Sequence, residues 1–155
     1  MTLAIVIPVK NEPYLLKLLD EIKQSVIIPY KVFVQTESGL SKAVLKGFKR
    51  GLLECCDFFI TMDGDGSHNP KYIMQMVQQL QNYDIVIGSR YILSGRAFNG
   101  QKNVTSNDSK VKIGISEISC SFFAGSLGLD VVDCMSGFVA LRRKVVADLL
   151  PKLNP

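Results

Sequence analysis

The chain has 155 residues, of which 47% are hydrophobic and 21% are charged, and its formal net charge is +4 at pH 7. This length and composition are typical of one globular domain with a substantial buried core. The mildly basic balance suits an anionic ligand or a weak attraction to a membrane surface, and the lack of a basic run argues against a nucleic-acid partner. No apolar run reaches the roughly 20 residues of a transmembrane helix.

The cysteines and the first residues predict a cytoplasmic protein. The four cysteines show no C-x-x-C spacing and mostly lie beside apolar residues, which indicates buried thiols in a reducing compartment. Charges at Lys10 and Glu12 interrupt the first apolar run too early for a signal peptide. We therefore expect a cytoplasmic chain that is soluble or lies peripherally on the cytoplasmic face of a membrane.

Strand and helix patterns alternate along the chain. Apolar runs and alternating patterns predict strands at Leu3–Val9, Tyr30–Gln35, Asp57–Met62, Asp84–Gly88 and, with a turn, 130–141. Caps and apolar stripes predict helices after Asn11 and Pro13, after the N-cap Ser41, from Pro70 to about Gln81, over 112–127 and from Arg142. Such alternation is typical of an α/β/α sandwich with a mainly parallel sheet. The polar stretch 91–110 predicts a flexible active-site loop within a single domain of residues 1–155.

The end of the third predicted strand carries the most informative residues. Asp63 and Asp65 lie between this strand and a helix start formed by Asn69 and Pro70. In parallel α/β sheets, ligands collect at the carboxyl ends of the strands. Two carboxylates with the hydroxyl of Ser67 form a hard oxygen donor set, which suits Mg²⁺ or Mn²⁺ carrying a diphosphate.

Two other interpretations compete with a metal site in this segment. Asp and Gly also favour tight bends, so the D-G-D-G sequence alone is compatible with a purely structural turn. A calcium-binding EF-hand is excluded because its sixth position would be His68 rather than Gly, and its twelfth would be Met74 rather than Glu. His68 is the only histidine in the chain, and we expect it to lie at the helix start near the pocket rather than to bind the metal.

Five segments together resemble the family 2 glycosyltransferases, and most closely their dolichol-phosphate mannose synthase branch. In chain order they are Ile5-Val6-Ile7-Pro8-Val9-Lys10-Asn11-Glu12, Gly39-Leu40-Ser41-Lys42-Ala43 with Gly47, Met62-Asp63-Gly64-Asp65-Gly66-Ser67-His68-Asn69-Pro70, Asp84-Ile85-Val86-Ile87-Gly88-Ser89-Arg90-Tyr91 and Asp133-Cys134-Met135-Ser136-Gly137-Phe138. The resemblance implies a single-domain GT-A (Rossmann-like) fold. It also implies an inverting transfer of a sugar from a nucleotide-diphosphate donor, a GDP- or UDP-sugar, with a polyprenyl or dolichyl phosphate as the expected acceptor.

The same resemblance implies roles on the donor side of the site. Asp65 would hold the divalent metal on the diphosphate. Asp63 would contact the nucleoside and belong to the metal site, and Ser67 would lie near the metal. Pro8 and Glu12 would line the nucleotide pocket. The metal is expected to be Mg²⁺ or Mn²⁺.

Further roles follow for the phosphate and acceptor side. Arg90 would contact the diphosphate or the acceptor phosphate, since a planar guanidinium suits phosphate geometry. Lys112 and Ser116 match a basic and a polar position after the long loop, and Lys42 belongs to the donor-binding set. Asp65 and Arg90 are the expected catalytic residues, because a metal and a guanidinium together would stabilise the leaving group. An anionic acceptor phosphate would need no strong general base.

The sequence departs from the family pattern on both sides of the expected site. The family has an additional unit with an Asp-Asp pair before the position of Gly39, and here Glu37 is the acid that could replace it. Toward the acceptor, Cys120, Met135 and Val139 stand where the family has Asn, Thr and Arg. Nucleotide affinity or choice is therefore expected to differ from the family pattern.

Alternative functions follow from these departures. The given sequence ends at Pro155, ahead of the family's acidic motif and interfacial helices, so either a minimal enzyme or a membrane-bound partner subunit is expected. One alternative is a non-catalytic relative that binds a nucleotide sugar and acts with a partner subunit. A nucleotidyltransferase is disfavoured because no glycine-rich phosphate loop follows the first strand.

Overall fold

The computed structural model describes residues 1–89, 133 and 136–153 of the chain. The chain divides into two compact units, one comprising Met1–Val86 with Gly137–Pro155 and the other Ile87–Ser136. Nearly all described elements belong to the first unit. The predicted loop at 91–110 and the predicted helix at 112–127 lie outside the described residues, and the single domain stays a prediction.

The described elements alternate between strands and helices. The strands are β1 (Leu3–Pro8), β2 (Tyr30–Gln35), β3 (Phe58–Thr61), β4 (Ile85–Ile87) and β5 (Val139–Arg142). The helices are α1 (Leu15–Ser25), α2 (Leu40–Leu53), α3 (Ile73–Gln79) and α4 (Arg143–Leu149), with a 3₁₀ turn at Pro70–Tyr72. The other predictions for this part of the chain are confirmed to within a few residues at each end, whereas of the strand and turn predicted at 130–141 only the end from Val139 is a described strand, and part of that range lies outside the described residues. Over the described ranges, none of the helices combines the length and the apolar character needed to cross a membrane.

The five strands form one sheet in the order β2-β1-β3-β5-β4. Strand β1 pairs in parallel with both β2 and β3, and α1 and α2 supply the crossovers that parallel neighbours require. Strand β5 pairs antiparallel with β3. The carboxyl ends of β1, β2 and β3 therefore share one edge of the sheet. The loop that follows β3 and carries Asp63 and Asp65 begins at that edge.

Helices cover both faces of the sheet, and the alternation along β1 explains how. Leu3, Ile5 and Ile7 pack with residues of α1 and α3, whereas Ala4 and Val6 pack with residues of α2 and α4. All five side chains are fully buried, because successive residues of a strand point to opposite faces. A strand buried on both faces has a continuous apolar sequence. The predicted α/β/α sandwich with a mainly parallel sheet is confirmed.

Helix α2 approaches the sheet closely because it presents two glycines one turn apart. A Cβ atom on Gly47 would overlap Cγ1 of Val6, and one on Gly51 would lie 2.5 Å from Cε1 of Phe59. Phe59 is fully buried and meets Phe48 edge to face, with 5.8 Å between the ring centroids. Gly47, which belongs to the second resembling segment, is thus explained by packing alone.

The predicted start of the first helix is wrong. Helix α1 begins at Leu15, with Tyr14 as its N-cap, rather than at Pro13 after a cap at Asn11. A separate turn comes first, closed by the N–H of Leu15, which donates to the carbonyl oxygen of Glu12 at 3.1 Å. The residues before Leu15 therefore belong to a loop, and this β1–α1 loop packs against the aspartate segment described below.

The predicted caps of the next two helices have different outcomes. Helix α2 begins at Leu40 and its N-cap is Gly39, whose φ of +99° favours glycine. The prediction that Ser41 caps this helix is wrong, because Ser41 lies in its first turn. Asn69 is confirmed as a cap, since its side-chain oxygen accepts a hydrogen bond from the N–H of Lys71 at 3.0 Å.

Candidate active site

The loop that follows β3 carries Asp63 and Asp65 at the carboxyl end of a central strand. The N–H of Met62 still donates to the carbonyl oxygen of Val6 at 3.1 Å, so pairing with β1 persists up to the residue before Asp63. The side chain of Asp63 is 44% exposed, and Asp65 is exposed. A buried strand therefore supports two carboxylates that reach solvent, which is the arrangement that a precise binding site needs.

Two glycines allow this loop to pack against the β1–α1 loop. A Cβ atom on Gly64 would lie 2.8 Å from Cγ1 of Val9 and 3.2 Å from Cγ of Glu12. Gly66 has a φ of +83°, and a Cβ atom there would lie 2.5 Å from Cε1 of Tyr14. The carboxylate loop and Glu12 are thus in contact, at the ends of two adjacent parallel strands. The sequence did not identify Tyr14, because an aromatic residue near a helix start carries no specific signal.

Replacing Gly66 by Ala is expected to lower the free energy of unfolding by about 1–3 kcal/mol, from positive-φ strain and overpacking together. Thermal and denaturant-induced unfolding would measure the loss. In a Tyr14→Ala background the overlap with the ring is gone, so the same substitution should cost less. An equal cost in both backgrounds would contradict the contact between Gly66 and Tyr14.

Hydrogen bonds from Ser67 stabilise the ionised form of the Asp65 carboxylate. Its N–H donates to Oδ1 of Asp65 at 2.9 Å. Burial raises the pKa of Asp65, but hydrogen bonds from the side chain and the backbone of Ser67, with a smaller contribution from His68, outweigh burial and hold this pKa below its ordinary value. Asp65 is therefore anionic at neutral pH and can attract a cation.

The donor chemistry of these residues fits a phosphate-bound divalent metal. Within residues 1–89, 133 and 136–153, no group of three or more His, Cys, Asp or Glu side chains converges as it would around a metal held by the protein alone. Mg²⁺ in phosphate chemistry commonly takes only one or two carboxylates, and water and phosphate oxygens complete its shell. Asp63 and Asp65 supply two such hard donors on one short loop. The metal roles of Asp63, Asp65 and Ser67 stay predictions.

The start of β5 encloses the other side of Asp63. Strands β3 and β5 pair Thr61 with Val139, and continuing this register by two residues brings Gly137 opposite Asp63. The hydroxyl of Thr61 donates to the carbonyl oxygen of Gly137 at 2.8 Å. A Cβ atom on Gly137 would lie 3.2 Å from each carboxylate oxygen of Asp63, so glycine leaves just enough room for this carboxylate.

His68 is buried beneath the same loop, with 8% of its surface exposed. Its Nδ1 atom accepts a hydrogen bond from the N–H of Asp63 at 2.9 Å, and its Nε2 atom lies 3.7 Å from Oδ2 of Asp63. The imidazole stacks on the ring of Phe138, with 5.1 Å between centroids and 12° between planes. The sequence predicted that His68 lies near the pocket. Its contact with Phe138 could not be predicted, because the two residues are far apart along the chain and no local pattern indicates it.

Pro8 ends β1 and lies in register with Gln35, which ends β2. Gln35 is only 3% exposed. Nε2 of Gln35 is buried and has no hydrogen-bond partner. It is the one such side-chain nitrogen or oxygen atom among the described residues. A buried amide at a strand end resembles an interior residue in sequence, so the sequence alone did not single it out.

Glu37 lies near the start of α2 and interacts with lysines of that helix. The carboxylate of Glu37 pairs with Lys46. The hydrogen bond from Lys46 is the main cause that lowers the pKa of Glu37, and Lys42 adds a smaller electrostatic contribution. Glu37 is exposed and already has a cationic partner on α2, so its expected role as a substitute for the missing acids stays a prediction.

The remaining predicted site residues lie outside the described part of the chain. These are Arg90, Lys112 and Ser116, and their roles stay predictions. Within the second compact unit, Ser89 is exposed, and the hydroxyl of Ser136 donates to the carbonyl oxygen of Gly88 at 2.6 Å.

Comparison with known proteins identifies relatives of named activity. The chain is 37% identical over 132 residues to a dolichol-phosphate mannosyltransferase of Pyrococcus furiosus, which covers 82% of this chain and 34% of that protein. It is 33% identical over 107 residues to an undecaprenyl-phosphate mannosyltransferase of Micrococcus luteus, covering 69% and 41%. It is 29% identical over 112 residues to a polyprenol monophosphomannose synthase of Mycolicibacterium smegmatis, covering 72% and 39%.

The chain thus spans less than half the length of these curated relatives. Their names confirm the resemblance to the dolichol-phosphate mannose synthase branch. A family model described as glycosyl transferase family 2 matches residues 24–150, a range that contains Asp63, Asp65 and strand β5. The chain therefore belongs to glycosyl transferase family 2.

Proposed function

We propose that this chain is a glycosyltransferase that moves a sugar from a GDP- or UDP-sugar to a polyprenyl or dolichyl phosphate. The transfer depends on Mg²⁺ or Mn²⁺ and inverts the anomeric centre. Membership of the family and the names of the relatives support the reaction class and the acceptor class. The donor, the metal and the stereochemistry are the finer parts of the proposal.

One observation carries this proposal more than any other. The loop with Asp63 and Asp65 packs through Gly64 against Val9 and the side-chain carbons of Glu12, so the loops that follow two adjacent parallel strands are in contact at the carboxyl ends of those strands. Ligands of open α/β sheets occupy this edge. Asp65 is ionised and exposed there, so beyond its Asx-turn hydrogen bond from Ser67 this carboxylate is accessible to a metal-bound diphosphate.

In this proposal, the site residues act on the leaving diphosphate and on the acceptor phosphate. Asp65, with Asp63 beside it, would hold a divalent metal, which when bound supplies positive charge to the diphosphate as it leaves. Arg90 adds a guanidinium for the same phosphates or for the acceptor phosphate. The bond between the anomeric carbon and the diphosphate oxygen breaks, and a bond to an acceptor phosphate oxygen forms. Because that oxygen is already anionic, no protein group has to remove a proton from it.

Nucleotide and acceptor binding complete the proposal. Pro8 and Glu12 line the nucleotide pocket, and Glu37 with Lys42 contributes to donor binding at the start of α2. Lys112 and Ser116 would bind the acceptor phosphate, as the family resemblance implies. A lipid acceptor implies peripheral attachment to the cytoplasmic face of a membrane, either directly or through a membrane-bound partner subunit.

The test is a thermal-shift screen of the chain with GDP- and UDP-sugars, each with Mn²⁺ and with a chelator. A donor present at 100 times its dissociation constant adds about 2.7 kcal/mol to the stability of the folded state. We expect one nucleotide class to raise the melting temperature with Mn²⁺ and to lose this effect when the metal is chelated. The donor identified in this way is then supplied with a polyprenyl phosphate, and transfer of labelled sugar to the lipid is measured.

The outcomes separate the candidate functions. Metal-dependent binding followed by transfer supports the proposed enzyme. Binding without transfer, or transfer that appears only with a co-purified membrane subunit, supports the nucleotide-sugar-binding relative. No shift with any donor would contradict a donor site on this chain.

A further inference from the structure

We infer that His68 is a positioning residue that sets the orientation of Asp63 and couples it to the segment Gly137–Phe138. This inference rests on the proposed function, because Asp63 is one of the expected donor and metal residues. His68 itself is expected to touch neither the donor nor the metal. Its role is to connect two loops that the chain supplies from remote positions.

The first observation is the hydrogen bond between the imidazole and the main chain of Asp63. Nδ1 of His68 accepts from the N–H of Asp63 at 2.9 Å, and an imidazole nitrogen that accepts a hydrogen bond carries no proton. The proton of the neutral ring must then reside on Nε2. In this tautomer the proton on Nε2 lies on the side of the ring that faces the carboxylate of Asp63. Nε2 is 3.7 Å from Oδ2 of Asp63. The distance exceeds that of a hydrogen bond, so the contact is electrostatic.

The second observation is that the ring is held from the other side. The imidazole stacks on Phe138, and Cε1 of His68 would lie 3.3 Å from a Cβ atom on Gly137. Gly137 in turn is anchored to β3 by the hydroxyl of Thr61 at 2.8 Å. The imidazole and Gly137 therefore flank the same carboxylate, and a displacement of either would move it.

The imidazole of His68 and the carboxylate of Asp63 differ in their exposure to solvent. His68 is 8% exposed, whereas the side chain of Asp63 is 44% exposed. The imidazole is thus part of the interior, and the carboxylate that it faces reaches solvent. A residue that orients a metal-binding side chain without touching the metal is commonly buried behind that side chain. Loss of such a residue typically weakens metal binding or activity by 10–100-fold.

A spectroscopic measurement tests the geometry without any donor. Since His68 is the only histidine, its imidazole nitrogen signals are unambiguous in an NMR spectrum of the uniformly ¹⁵N-labelled chain. We expect the pattern of the Nε2–H tautomer and a coupling through the hydrogen bond between the amide nitrogen of Asp63 and Nδ1. A protonated Nδ1 at neutral pH, or the lack of such a coupling, would overturn the inference whether or not the chain binds a nucleotide sugar.

Three substitutions test the consequence for binding. His68→Asn keeps an acceptor near the position of Nδ1, His68→Phe keeps the stacking on Phe138 without an acceptor, and His68→Ala removes both. The dissociation constants for Mn²⁺ alone and for the donor with Mn²⁺ are measured on variants that unfold cooperatively. We expect His68→Phe to weaken Mn²⁺ and donor binding by roughly 10–100-fold, and His68→Asn to remain within a few-fold of the wild type.

A purely structural role of the ring predicts the opposite order. If His68→Phe binds Mn²⁺ and the donor as the wild type does, or if His68→Asn loses as much affinity as His68→Phe, the positioning role is wrong. If the wild type binds no donor at all, the proposed function fails, while the NMR signals of His68 still decide the inference about its geometry.

Discussion

Replacing Asp65 by Asn is expected to reduce sugar transfer by about 10²–10³-fold, the cost of removing one strong electrostatic contribution from a leaving-group site. The substitution removes the charge and keeps an oxygen that can accept the hydrogen bond from Ser67, whose N–H donates to Oδ1 of Asp65 at 2.9 Å. The loop should therefore retain its conformation. The measurement is the rate of labelled-sugar transfer with Mn²⁺ and the donor that raises the melting temperature.

A matched control distinguishes the effect of losing the charge at Asp65 from the effect of changing the net charge of the protein. Asp20 is an exposed carboxylate on α1, and Asp20→Asn makes the same chemical change outside the proposed site. We expect Asp20→Asn to transfer sugar at the wild-type rate. If Asp65→Asn also does so, Asp65 does not act on the diphosphate. If the wild type binds the donor without transferring sugar, the dissociation constant of the donor with Mn²⁺ is compared across the same variants.

Replacing Phe59 by Ala is expected to produce the largest loss of stability, about 3–5 kcal/mol, because it empties a large volume in the core. Phe59 is fully buried on β3 and meets Phe48 edge to face. For a chain of this size the loss corresponds to a fall of roughly 6–20 °C in melting temperature. Denaturant-induced unfolding measures the free energy. Leu16→Ala, on a side chain that is 78% exposed, should change stability by no more than about 0.5 kcal/mol.

The close approach of α2 provides a second measurement on the same core. A Cβ atom on Gly51 would lie 2.5 Å from Cε1 of Phe59, so Gly51→Ala alone is expected to cost about 1–3 kcal/mol by overpacking. In the Phe59→Ala background the ring is gone, and Gly51→Ala should cost far less or add stability. A double-mutant cycle measures this coupling. Independent, additive effects would show that α2 does not press on Phe59.

The fold could be predicted from the sequence because its signals are local. The run Leu3–Pro8 is buried on both faces of the sheet, and such a strand is apolar at every position. The 3.6-residue spacing of apolar residues in α2 likewise follows from burying one side of a helix. These patterns need no knowledge of the partner, so the order of strands and helices in the described part was predicted correctly.

Helix starts were predicted less well, since competing local structures have similar sequences. Pro13 is compatible with a helix start and also with a turn, and the structure uses it in a turn before α1. Gly39 is the actual cap of α2 with a φ of +99°, although Ser41 is the better capping residue by type. For α1, the residues before the helix pack against the loop with Gly64 and Gly66, a tertiary contact that no local pattern signals.

The sequence by itself determined that two carboxylates, Asp63 and Asp65, follow a buried strand and precede a helix, because strand, turn and helix signals are contiguous there. Only the tertiary structure decided what surrounds them. The antiparallel register of β5 on β3 brings Gly137 opposite Asp63, and the imidazole of His68 lies between the Asp63 loop and Phe138. Such neighbours depend on which strands pair and in which register, and these are set by the burial of the whole core rather than by any local stretch of residues.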